Sequence, residues 1–119
     1  MIKLIRQFVA AAKAGSHSGK GHKFTRQGKY EEALRHYQLA LEYESEAYPM
    51  QNPASVECIA RTHARLGNYK EALSVAKQAH ELYKQLSSDI TAPSMARVER
   101  FMLALKENDK DEITEILSI

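Results

Sequence analysis

The sequence predicts an all-α fold of antiparallel helix hairpins stacked in series, on three observations. The phrase GKYEEAL, Gly28 to Leu34, returns as GNYKEAL, Gly67 to Leu73. After each glycine, apolar residues recur at steps of three and four, the helical period. Ahead of the second phrase lies another helical stretch, bounded by a capping Asn52-Pro53 at its start and by Gly67 at its end.

Taken in order, Ile2, Ile5, Val9 and Ala12 form an apolar stripe with Phe8 at its edge, interleaved with Lys3, Arg6 and Lys13. Residues 1–14 are therefore expected as an amphipathic basic helix, either a cap on the next hairpin or a partner-binding element, with packing the simpler role. Gly15, Gly19 and Gly21 put three glycines in seven residues, which predicts a break or kink before the next helix. Within residues 15–52 that next helix carries Gly21 and Phe24 and ends at Gly28, after which Tyr30, Ala33, Leu34, Tyr37, Ala40 and Leu41 line the returning helix. Residues 53–90 repeat the design. Val56, Ile59, Ala60, His63 and Leu66 share one face, Gly67 is the hinge, and Tyr69, Ala72, Leu73, Ala76, Ala79 and Tyr83 line the return. In residues 91–119 Met95, Val98, Phe101, Met102 and Leu105 point inward, and Asn108 to Ile113 stands where Gly-x-Tyr-x-Glu-Ala stands in the other two units. The first helix of this unit puts its turn at Asp109, whereas Ile113 and Leu117 put it at Asn108. A degenerate repeat or terminal cap with a turn one residue short is expected. The three units form a single domain.

The alanines follow from geometry. Two helices joined by a short turn approach most closely just beyond it, where only a small side chain fits between the backbones. Ala33 and Ala72 each lie five residues after their glycine, and Ala40 and Ala79 lie seven further on, along the same stripe.

The order of small and aromatic positions resembles the tetratricopeptide repeat family from about Ser16 to Ser87. Its pattern reads Gly21, Phe24, Gly28, Tyr30, Ala33, Tyr37, Ala40 in the first copy and Ala60, His63, Gly67, Tyr69, Ala72, Ala76, Ala79 in the second. The glycines are 39 residues apart, more than the usual repeat of about 34. The surplus falls in Glu42 to Pro53, which implies a longer second helix, as in the kinesin-light-chain-like variety. The resemblance implies a right-handed superhelical stack of about six to seven helices. It also implies a groove lined by the first helix of each pair, with His22, Thr25 and Arg26 in the first repeat and Glu57, Arg61, Ala64 and Arg65 in the second. Arg97, Arg100 or Lys106 would extend it. The lysine and asparagines with which some family members clamp a chaperone's C-terminal carboxylate are replaced by Ser18, His22 and Cys58, so that mode of binding is disfavoured.

Charge and composition narrow the function classes. The 119 residues carry 17 Lys and Arg against 15 Asp and Glu, for a net charge of +2. That balance argues against a whole-chain nucleic-acid binder. The distribution is uneven: seven of the basic residues and none of the acids fall between Met1 and Tyr30, leaving −5 for the remainder. Nucleic-acid or anionic-membrane binding by this basic segment is one alternative, and its composition is shared by organelle transit segments, although the fold needs the residues from about Ser16 on. A three-helix microtubule-interacting-and-trafficking-like domain is another alternative, against which the second Gly-x-Tyr copy stands. One cysteine, Cys58, allows no internal disulfide and points to a reducing, cytoplasmic setting. No run is long and apolar enough to span a bilayer. His17, His22, His36, His63 and His80 lack metal-ligand spacing, His63 being expected as a satisfied core histidine, and no nucleophile elbow, phosphate loop or Cys-His pairing is visible. Catalysis, cofactor and metal are thus not expected. The expected function is that of a scaffold or adaptor holding a protein or peptide in the groove, an acidic peptide being preferred, with homo-oligomerisation left open.

Overall fold

The computed structural model describes every residue except Ser87, at which the resembling stretch ends. Among the described residues it is all-α, with six helices: α1 (Ile2–Arg26), α2 (Tyr30–Ala47), α3 (Pro53–Arg65), α4 (Tyr69–Leu86), α5 (Ala92–Lys106) and α6 (Lys110–Leu117). Consecutive helices pack on one another, and α6 also reaches back to α3. The body is elongated, 50 by 33 by 21 Å.

Three hairpins close by the same local chemistry. At Gly28 (φ 74°) and Gly67 (φ 80°) the chain turns left-handed, and Asn108 (φ 53°) does the same, asparagine being among the few other residues that tolerate it. The hydrogen bonds match turn for turn. Lys29 N–H donates to the Phe24 carbonyl at 2.9 Å, Asn68 to His63 at 2.9 Å and Asp109 to Ala104 at 3.0 Å. The third turn is therefore a full-length copy, not the shortened one expected. Its left-handed residue is Asn108, and Asp109 caps α6 by accepting from the Glu112 amide at 3.1 Å. The disagreement read from the sequence arose because Ile113 occupies the place of Ala33 and Ala72, so bulk replaces the small residue that marked the other two seams. Asn52 caps α3 through Ala54 N–H, with Pro53 in its first turn.

The alanines lie where close approach requires them: Ala33, Ala60, Ala72 and Ala79 are fully buried in the core. That core runs continuously from Tyr37 through Val56, Ile59 and Tyr83 to Val98, Phe101, Ile113 and Ile116.

The N-terminal expectation is corrected. Helix α1 is unbroken over 25 residues and runs through Gly15–Gly21 without the expected break. Its packing stripe is Ala10, Ala14, His17, Gly21 and Phe24, spaced by four and three in one register across the supposed break; burial on α2 outweighs the weak intrinsic helicity of glycine. The bulky stripe of Ile2, Ile5, Val9 and Phe8 does not cap the first hairpin and stands exposed. Gly21 is a steric necessity, since a Cβ there would lie 2.5 Å from the Tyr37 ring. Gly21→Ala is expected to destabilise the fold by about 1–3 kcal/mol through overpacking. Gly19→Ala, on the open side of the same helix, is expected to be neutral or stabilising, and thermal melting of the two variants distinguishes steric from propensity effects.

Candidate functional site

A trough lies between α1 and α3 and continues between α3 and α5. Its first part, about 310 Å³, is lined by Ser18 and His22 from α1, Glu44 from α2 and Asn52, Ser55 and Cys58 around the start of α3. The second, about 340 Å³, is lined by Glu57, Cys58 and Arg61 from α3, Arg97 from α5 and Ile119. Ala54 and Cys58 belong to both.

The residues expected in the groove meet different fates. His22 is exposed at the trough's edge, its Nδ1 2.8 Å from the Tyr37 hydroxyl. Thr25 is half-buried: its hydroxyl donates to the Gly21 carbonyl at 2.9 Å and lies 3.2 Å from Tyr37 Oη. Arg26 is exposed in the last turn of α1. Ala64 is not at the surface. It is a core residue, 4% exposed, because the face of α3 that it shares with Ala60 packs inward.

Glu57 is buried and held internally. Arg97 donates to both its carboxylate oxygens at 2.7 Å, and the Tyr83 hydroxyl donates to Oε1 at 2.8 Å. Burial and this bond push the Tyr83 hydroxyl up to about 12, and the bond to Glu57 raises Arg97 above its ordinary value. One carboxylate thus ties α3, α4 and α5 together.

Arg61 and Arg65 are one helical turn apart on α3, and both reach the C-terminal end of α6. An Arg61 Nη donates to the Ile116 carbonyl at 3.1 Å, and an Arg65 Nη donates to the Leu117 carbonyl at 2.9 Å. The Ile116 carbonyl also accepts from Ile119 N–H at 3.3 Å, and the negative end of the helix dipole lies at these carbonyls. Among the described residues no carboxylate pairs with either guanidinium. Burial, with Arg65 beside it, pulls Arg61 below its ordinary value. The C-terminal end of α6 therefore takes part of the basic surface that the sequence assigned to an outside partner. Arg100 turns away from the trough to pair with Glu112.

Sequence reasoning missed Glu44 and Ser55. Glu44 is buried, with Oε1 accepting from the Ser55 hydroxyl at 2.7 Å and Oε2 without a hydrogen-bond partner among the described residues. It sits one helical step after Ala40 in an acid-rich run that otherwise faces solvent, so only its phase on α2 distinguished it. Cys58 is half-buried; burial pushes its thiol up, which opposes a reactive thiolate. Of the histidines, His63 is not the satisfied core residue expected, since its buried Nδ1 has no partner. Among the described residues no group of three or more potential ligands gathers for a metal, and no helix is long and apolar enough to cross a membrane.

Between α1 and α2, His17 Nδ1 and His36 Nδ1 are 2.9 Å apart, with Phe24 stacked on His36 and Tyr43 on His17. Only one proton fits between those nitrogens. Burial, followed by the charges of Arg35, His17 and Lys20, holds His36 below its ordinary value of 6.5. The unfolded chain therefore takes up a proton at His36 first as the pH falls, so the stability contributed by neutral His36 is present above pH 6.5 and is lost as pH falls through the lower folded value. Melting temperatures between pH 7.5 and 5 are expected to decline, and His36→Phe is expected to flatten that slope. At the other end, Glu57→Ala strands Arg97 and Tyr83. Arg97 is partly solvated, so a loss of about 2 kcal/mol is expected in chemical denaturation.

Family models described as tetratricopeptide repeat match residues 16–46 and 54–89, together more than half of the chain. No curated protein and no solved structure matches the chain significantly. The first match spans the second half of α1 with α2 and the second spans α3 with α4, the two hairpins that turn on Gly28 and Gly67. With the repeated phrase, the repeated turn and the repeated alanine seam all falling inside these matches, the chain belongs to the tetratricopeptide repeat family.

Proposed function

We propose that the protein is a non-enzymatic cytoplasmic adaptor that holds an extended or helical segment of another protein in the trough along α3. Its repeat family is an interaction fold, which supports a protein partner. The observation that carries the choice of partner is the pair Arg61 and Arg65, buried to half their extent against carbonyls and matched by no carboxylate among the described residues. A guanidinium has five donors, and the carbonyls of α6 use only part of that capacity. Arg61 and Arg97 both line the second part of the trough, where Glu57 supplies a single negative charge. An Asp or Glu side chain of the partner entering there restores the balance, which makes an acidic segment the preferred occupant. His22 and Arg26 flank the path at the α1 end.

Selection from a random-peptide display library against the immobilised protein is expected to enrich sequences bearing Asp or Glu. Affinity for a selected peptide is expected to fall about tenfold in Arg61→Gln, the worth of one charge-assisted hydrogen bond. Enrichment of peptides without acidic residues, or equal affinity in the variant, removes this reading. Melting of the same variant reports separately on its hold over α6.

A further inference from the structure

The outward face of α1 carries no acidic residue along its whole length and is open to solvent. At 100° per residue, Ile5, Phe8 and Ala12 lie roughly opposite Ala10, Ala14 and Gly21, the residues that seat the helix on α2, with Val9 at the edge of that face. Ile2, Ile5 and Phe8 are 71%, 57% and 69% exposed. Full burial begins only at Ala10. Beyond Phe8 the same face narrows to Ala12, Ser16 and Gly19 and then turns cationic at Lys20, Lys23 and Arg26, all exposed. The strip runs along a 25-residue helix, roughly 37 Å at 1.5 Å per residue. Bulky aliphatic and aromatic side chains concentrated on one solvent-facing strip mark a surface with a partner.

We propose that this face of α1 docks on a membrane surface containing anionic lipid. The apolar side chains of its first three turns enter the interfacial layer, and Lys20, Lys23 and Arg26 meet headgroup phosphates. Charge complementarity selects this occupant. A second copy fits worse, because its α1 carries no acid and so leaves Lys20, Lys23 and Arg26 without an anionic partner. The exposed apolar groove around Leu73, Met102 and Leu103 carries Lys77 and Lys106 against the single acid Glu99, which His80 already pairs, so its charge does not attract the same face. Nucleic acid would match the cations and leave Ile5 and Phe8 without a role.

The test is co-sedimentation of the full chain with vesicles of phosphatidylcholine alone and with phosphatidylglycerol added, at low and high salt. Binding is expected only with phosphatidylglycerol and is expected to weaken as salt rises. Lys20→Gln/Lys23→Gln/Arg26→Gln is expected to bind about 100-fold more weakly, each cation near a charged bilayer being worth about fivefold. Ile5→Ser/Phe8→Ser is expected to bind poorly at any salt. All five positions are exposed, so unchanged melting confirms that the variants fold. Failure to bind phosphatidylglycerol vesicles overturns the proposal, as does undiminished binding by the Ile5/Phe8 variant. A dimer seen by light scattering that this variant abolishes, without lipid binding, assigns the face to a second copy instead. The Ile5/Phe8 variant alters no residue of the trough, so the groove stands or falls separately.

Discussion

The distance between paired helices is the constraint from which the rest of the structure follows. A left-handed residue turns the chain through a three-residue corner, and the two helices that leave it must run side by side at a separation set by whatever side chains lie between them. Ala33 and Ala72, fully buried at equivalent places, set that separation in the first two hairpins. Gly21 goes further and admits the Tyr37 ring against the α1 backbone. Because the hairpins are then thin, tyrosines 37 and 83 span from one helix layer to the next, and their hydroxyls tie the layers through Thr25 and Glu57.

Polar groups in the stack are placed where helix ends and layers meet. Glu57 accepts from two other helices, so α3, α4 and α5 are fixed by charge as well as by apolar burial. Arg61 and Arg65 donate to the carbonyls that end α6, which explains how a helix of only eight residues is held against the body. The cost is that α6 draws on Arg61, which lines the trough, as well as on Arg65. The proposed binding in the trough would consequently draw on the same Arg61 guanidinium that anchors α6.

Most of the fold was legible because its signals are local and repeated. The glycine turns, the Asn52-Pro53 cap and the alanine stripe each state a backbone requirement that few residues meet. The course of α1 was less legible, since the bulky residues of its first turns drew attention from the small stripe of Ala10, Ala14 and Gly21 that carries the packing. In the third turn, Ile113 hid a register that the backbone kept. The site was read less well. Spacing identifies which residues lie on a helix face, but not which of them an element distant in sequence will engage. Glu57 meets Arg97 across 40 residues and Arg61 meets Ile116 across 55, and such long-range commitments leave no periodic trace. Ala64 was misplaced for a related reason: one position in either direction along α3 exchanges groove for core.

The close approach of the hairpin helices is tested most directly by enlarging its small residues one at a time. Denaturation midpoints for Ala33→Leu and Ala72→Leu, with Ala12→Leu on the open face of α1 as the control, are the measurement. The account predicts a loss of about 1–3 kcal/mol at each of the two seam positions and no loss at the control. Unchanged midpoints at Ala33 and Ala72 would contradict it, because the helices would then have room that this packing does not allow.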